Sequence, residues 1–244
     1  MSGHSKWNNI KRKKEKTDGQ RAKIFTKIGR EMTVCVKSSG GDPNVNSKLR
    51  DLIAKAKSLN VPNDNIQRII KKAEGGEKDA YESITYEGYG PSGIAMMVET
   101  LTDNRNRTAG NLRHYFDKFG GNMGNSGCVA FLFSQKGVIT LDVEDMDEEK
   151  VMEDAFEAGA EDFDMDDGIC EITVAPEAFS NTREALEKMG YKFIDADISF
   201  VPSTQTALID PEDLKKMGLL LEHLEDDDDV QNVWHNLENV EDLD

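Results

Sequence analysis

The sequence predicts an α+β, multidomain protein: an N-terminal three-helix bundle followed by two ferredoxin-like βαββαβ domains, the second inserted into the first. Three observations carry that expectation. Charge divides by position along the chain, and helical periodicity gives way after residue 78 to strands alternating with helices. Two strand–helix series then follow, one complete within residues 136–201 and one complete only when its flanks are joined. The expected units are a basic helical one at 1–78, a split α/β one at 79–135 plus 202–244, and an inserted α/β one at 136–201.

Residues 1–78 carry 19 Lys and Arg against 8 Asp and Glu; the rest carries 11 against 39, within chain totals of 30 and 47. The formal net charge of −17 therefore hides a basic head on an acidic body. A polyanion is drawn to such a head, and its condensed counterions leave when it binds. The body repels the same ligand, which confines contact to the head. A solvated lysine-rich face is the ordinary origin of a short charge run, but here the excess persists across the whole segment. It is densest at Lys11-Arg12-Lys13-Lys14-Glu15-Lys16, near Lys6 and Trp7. Trp7 has two readings: stacking on a base or ribose, or anchoring this arm to the bundle.

Within the head, Ile24, Ile28, Met32 and Cys35 recur at helical spacing until Ser38-Ser39-Gly40-Gly41-Asp42-Pro43 breaks the pattern. A second helix begins near Ser47 with Leu49, Leu52, Ile53, Ala56 and Leu59 as its stripe. Pro62 presets a third, carrying Ile66, Ile69, Ile70 and Ala73 before Gly75-Gly76 closes it. Three short helices with short links can bury their stripes only against one another or a neighbour. Their polar faces repeat the basic sign of the arm, from Arg21, Lys23, Lys27 and Arg30 to Arg68, Lys71 and Lys72. Residues 74–78 read as a hinge.

In the body, the complete series runs through a strand at Gly137–Asp142, a helix at Glu148–Ala158 and a strand pair at Phe163 and Ile169–Val174. A helix at Pro176–Met189 and a strand at Lys192–Phe200 close it. The joined series takes a strand at Ile94–Leu101, a helix at Arg107–Phe119 and a strand at Val129–Phe133. It resumes with a strand at Thr204–Ile209, a helix from Pro211 through Leu224 and a strand at Val230–Asn236.

Several strings imitate chemistry. Gly88-Tyr89-Gly90-Pro91-Ser92-Gly93 has dinucleotide-fingerprint spacing, but an apolar strand follows where the fingerprint needs a helix, so it reads as a turn between strands. The glycine-rich run 120–127 has no lysine and reads as a flexible connector. Residues 162–168 resemble a calcium loop, yet the glycine is one place late and Thr173 stands where a glutamate closes the cage, so an acidic hairpin is expected. Asp226–Asp229 reads as a solvated acidic loop. Cys35, Cys128 and Cys170 are far apart and form no C-x-x-C pair, which fits buried free thiols in a reducing compartment. The four histidines show no ligand spacing, and no nucleophile context is visible. No catalytic residue, metal ligand or small-molecule cofactor is expected. No apolar run approaches a membrane span, and a cytoplasmic protein is expected. Arg105 and Arg107 interrupt the acidic body at a helix start, where they reach either a phosphate or, in the plainer reading, local carboxylates.

Taken together, Ser2-Gly3-His4-Ser5-Lys6-Trp7, Arg21-Ala22-Lys23-Ile24-Phe25-Thr26-Lys27, Pro62-Asn63-Asp64-Asn65-Ile66, Tyr86-Glu87-Gly88-Tyr89-Gly90-Pro91 and 101–108 resemble the YebC family of probable transcriptional regulatory proteins, which includes the mitochondrial translational activator of cytochrome oxidase subunit I. The resemblance is specific from residue 2 to about 140 and looser beyond. It implies three domains and a non-enzymatic regulator of gene expression that binds nucleic acid: DNA at promoters, or alternatively ribosomal or transfer RNA on the ribosome, relieving stalling at proline-rich sequences. On this resemblance the nucleic-acid surface comprises Lys6, Trp7, Lys11, Arg12, Lys13, Lys14, Lys16, Arg21, Lys23 and Lys27; the phosphate reading of Arg105 and Arg107, made from the residues themselves, would add a secondary contact. Asn63 departs from the family motif, which carries a basic residue there, and this weakens a phosphate contact at that point of the third helix.

Overall fold

The computed structural model describes residues 18–75, 81–144, 146–166 and 168–243, with side chains from residue 23 onward. The head comprises α1 (Asp18–Ser39), α2 (Ser47–Ser58) and α3 (Asn63–Glu74). Its core takes most of the predicted stripe: Ile28, Met32, Cys35, Leu49, Leu52, Ala56, Ile66, Ile70 and Ala73 are buried together, Ile24, Ile53 and Ile69 pack partly buried against them, and Leu59 is exposed. α1 stops at Gly40, whose φ of +86° suits a residue without Cβ, and whose N–H returns to the Val36 carbonyl at 2.8 Å. Asn46 caps α2 by accepting from the Leu49 N–H at 3.0 Å.

The outer sheet has strand order β3-β1-β2-β8, from β1 (Glu82–Tyr89), β2 (Ala95–Thr102), β3 (Asn122–Met123) and β8 (Val230–His235). Helices α4 (Arg105–Lys118) and α7 (Pro211–Asp226) contribute to its core, which gathers Ile94, Met96, Val98, Leu112, Phe116, Met217, Leu220 and Leu224. β2 is buried on both faces, because Ala95 and Met97 join a second cluster with Val129, Phe133 and the partly buried Phe200 and Trp234. That burial explains why β2 opens on an apolar run from Ala95 to Val98 rather than alternating.

The second sheet has order β5-β6-β4-β7, every neighbouring pair antiparallel, built from β4 (Phe133–Asp142), β5 (Asp162–Asp166), β6 (Ile169–Val174) and β7 (Lys192–Pro202). With α5 (Glu148–Glu157) and α6 (Phe179–Met189), its chain order is βαββαβ, the ferredoxin-like arrangement. β5 and β6 form the acidic hairpin. At Gly137 a Cβ would stand 2.6 Å from Val174 and 2.8 Å from Phe179, so only glycine lets α6 lie this close to β4.

The α+β class holds, with helices preceding two four-stranded antiparallel sheets. In the outer unit three elements differ from the sequence expectation. Glu82–Tyr89 is a strand that its charged residues concealed, and it pairs with β2 across a three-residue turn at Pro91–Gly93. Val129–Phe133 is mostly a 3-10 turn, Ala130–Leu132, leading into β4. Thr204–Ile209 forms no strand. It is tied down by one bridge, Thr206 to Leu237, and by the Asn239 side chain, which accepts from the Leu208 N–H and donates to its carbonyl, both at 2.9 Å.

Candidate nucleic-acid interface

The head's cations divide into those that face the body and those that face solvent. Lys23, Lys27 and Arg30 are spaced to share one side of α1, and that side lies over the C-terminal end of α7. Lys27 Nζ donates to the Glu225 carbonyl at 2.7 Å. Lys23 Nζ donates to the Asp226 carbonyl at 3.3 Å and pairs with its carboxylate at 3.0 Å. Arg30 Nη1 donates to the Asp228 carbonyl at 2.6 Å and to Asp229 Oδ1 at 3.1 Å, with its guanidinium 5.4 Å from the Tyr81 ring centre. The last carbonyls of a helix lack intrahelical partners and sit at the negative end of its dipole, so Lys27 and Lys23 cap α7 from outside while Arg30 grips the turn just beyond it.

Asp229 corrects the reading of residues 226–229 as merely solvated. It is 4 % exposed and accepts from Arg107 at 2.7 Å, Thr108 at 2.8 Å and Thr102 at 3.1 Å, besides Arg30. Burial raises its pKa, but the bonds from Arg107, Thr108 and Thr102 outweigh that and hold it below the usual carboxylate value. Asp227 is likewise engaged, accepting from Asn111 and the Tyr115 hydroxyl at 3.2 Å each. The sequence missed this hub because four consecutive aspartates read as solvent-facing. The only hint was their place, directly before a buried strand.

Arg107 follows the plainer of its two readings, pairing with Asp103 at 2.8 Å as well as Asp229, while Asn104 caps α4 through the Arg107 N–H at 3.1 Å. Arg105 is exposed, 4.0 Å from Glu82. Lys6, Trp7, Lys11, Arg12, Lys13, Lys14 and Lys16 lie outside the described residues, as does the side chain of Arg21.

α2 also turns cations inward. Lys55 hydrogen-bonds Asp197 of β7, and Arg50 lies 2.6 Å from Glu184. Asp51 accepts from Ser180 and from Arg183, the latter at 3.0 Å and only 5 % exposed. Glu31 of α1 faces the same junction. Burial pushes its carboxyl up to about 7, Asp197 and Glu99 add to the rise, and Lys55 and Lys48 oppose it. Among the described residues, the exposed cations on the head are Lys37 at the end of α1, Lys48 and Lys57 of α2, and Arg68, Lys71 and Lys72 of α3.

The glycine-rich connector is held rather than loose. Buried Glu87 accepts from the N–H groups of Gly127, Val129 and Ala130 at 2.7, 2.9 and 2.9 Å. Those three bonds outweigh burial and lower its pKa. A Cβ on Gly121 would meet the Tyr89 carbonyl at 2.4 Å. Gly90–Gly93 is a turn between strands, as the strand after it required. Cys35, Cys128 and Cys170 are free thiols, and burial pushes Cys170 up to about 12, far from a reactive thiolate. His223 packs against Tyr115 and Phe119. No described helix is long and apolar enough to cross a membrane.

The fold and its charge layout define a three-part α+β protein in which a basic helical head is docked on an acidic body. The chain matches the family description "TACO1/YebC protein N-terminal domain" over residues 5–76 and "TACO1/YebC second and third domain" over 81–237. It belongs to the TACO1/YebC family. Relatives named "Probable transcriptional regulatory protein" include one from Ruminiclostridium cellulolyticum, 59% identical over 244 residues and covering 99% of this chain and 98% of that one. Another, from Acetivibrio thermocellus, is 58% identical over 239 residues, covering 97% and 98%. The crystal structure of a conserved hypothetical protein from Aquifex aeolicus is similar at a TM-score of 0.83 and 43% identity, covering 91% of this chain and 92% of that one.

Proposed function

We propose that this regulator works by binding nucleic acid through its basic head, as a non-enzymatic, DNA-binding transcriptional regulator in the cytoplasm. The names of its relatives support a regulatory role. The observation that carries the binding reading is the positional split of charge, 19 cationic against 8 anionic residues in the first 78. The proposed surface is the arm, Lys6, Trp7, Lys11, Arg12, Lys13, Lys14 and Lys16, extended by Arg21, Lys23 and Lys27. Arg105, exposed on the body, is a secondary contact, whereas Arg107 is committed to Asp229. The charged side chains of the head are mostly lysines and arginines, 19 against 8 acidic residues, and these are phosphate-contacting types. The protein therefore reads the backbone rather than base edges.

Affinity should fall steeply with salt, with a log–log slope near about −5 if about six phosphates are neutralised. Replacing Lys11, Arg12, Lys13 and Lys14 with alanine should flatten that slope by several units. An unchanged slope would remove the arm from the interface. Crosslinking in cells followed by sequencing separates promoter DNA from ribosomal RNA. Recovery of ribosomal RNA alone would replace the promoter reading with that of a translation factor using the same surface.

A further inference from the structure

We infer that the acidic turn closing α7, residues 225–229, is an internal competitor for the cationic face of α1, occupying Lys23 and Lys27 where nucleic-acid phosphates would otherwise sit. The inference rests on the nucleic-acid reading above and adds the regulation of that site.

The turn offers what a phosphate backbone offers: successive anionic or strongly accepting oxygens along one line. Glu225, Asp226 and Asp228 each present a carbonyl to Lys27, Lys23 and Arg30 within 3.3 Å, and four consecutive carboxylates supply the charge. A lysine that donates to such oxygens donates to phosphate oxygens by the same chemistry.

The contact has two layers. The inner one is fixed: Asp229 is buried between Arg30 and Arg107, and Asp227 takes Asn111 and Tyr115 while accepting the Asp229 N–H at 2.9 Å. These bonds hold the shape of the turn and keep the head in place. The outer layer is exchangeable. The Lys23–Asp226 pair has side chains 40% and 57% exposed, and Asp228 is exposed beside it. Exposed pairs contribute at most about 1 kcal/mol and weaken with salt. A ligand presenting several phosphates at once displaces the Asp226 carboxylate from Lys23, against the added charge of the exposed Asp228, without undocking the head.

The test compares Asp226→Asn with Asp228→Asn against a charge-matched control, Glu153→Gln with Glu157→Gln, both exposed on α5. The probes are a mixed-sequence duplex DNA and an RNA stem-loop, titrated by fluorescence anisotropy at low and moderate salt. The turn variant should bind about three- to tenfold more tightly than the control, with the gain shrinking as salt rises. In a background of Lys23→Ala with Lys27→Ala the gain should vanish. Equal affinities for turn variant and control, or a gain that survives loss of both lysines, would overturn the competitor. If the unaltered protein binds neither probe, the nucleic-acid reading falls and the competitor with it. If it binds and the turn variant changes nothing, only the competitor falls.

Discussion

Glu31 shows how a single side chain couples the three parts of the molecule. It belongs to the head, yet the charges acting on it include Asp197 of β7 and Glu99 of β2, with Lys55 the main compensating cation. Its carboxyl holds a proton up to about 7 in the fold against 4.5 unfolded, so the folded chain binds more protons between those values. Stability therefore declines as pH rises through that window, by up to about 3 kcal/mol in total. Glu31→Gln should match the unaltered protein in urea unfolding near pH 4.5 and exceed it by about 2–3 kcal/mol near pH 8; equal stability at both would refute the assignment. Asp229 and Asp154 act on the acid side, since their lowered values place stability above about 3.8 and remove it as pH falls further. Lys150 and Tyr191 hold Asp154 down at 2.6 and 2.8 Å. None of these environments was legible in the sequence, because each depends on remote partners: Asp197 and Glu99 for Glu31, Arg107, Thr108 and Thr102 for Asp229, and Tyr191 for Asp154.

Among elements, α2 and α6 make the seam that fixes the head to the inserted unit. Arg183 is nearly buried, and Asp51 from α2 is its main counter-charge, with Glu187 at 3.1 Å a more exposed second. Asp51→Ala leaves that guanidinium poorly compensated and should cost about 3 kcal/mol in denaturant unfolding. Asp51→Leu combined with Arg183→Leu should recover most of it, because an apolar pair carries no desolvation penalty. A double variant as unstable as Asp51→Ala would assign the loss to packing instead. The elements themselves were largely readable. Helices α1–α3 and the βαββαβ order of the inserted unit follow from apolar spacing, since each has one clean buried stripe or face. β1 was hidden because its inward positions include Glu87, whose burial is compensated by three backbone N–H groups of a distant loop. Thr204–Ile209 reads as a strand in the sequence, yet Ile209 is 91% exposed and the segment is held only by the Thr206–Leu237 bridge and the Asn239 side chain.

At the scale of the whole molecule, a basic head and an acidic body attract each other before any ligand arrives. Two seams result, an exposed rim at the end of α7 and a buried one between α2 and α6, and salt should distinguish them. Raising ionic strength should speed amide hydrogen exchange around residues 23–27 and 225–228 while leaving residues 50–55 and 180–184 unchanged. Uniform behaviour at both seams would mean that the head docks as one electrostatic unit. The amino-acid order settles most of the helices and strands, the sign of each part and the family, because apolar period and charge count are properties of neighbours along the chain. It could not say which cations remain available. Lys23, Lys27, Arg30, Lys55 and Arg107 look like Lys57 or Lys71 in a list of residues, but folding sets them against carbonyls and carboxylates from remote segments. Electrostatic partnership is decided by distance through space, and that distance exists only once the helices and sheets have packed.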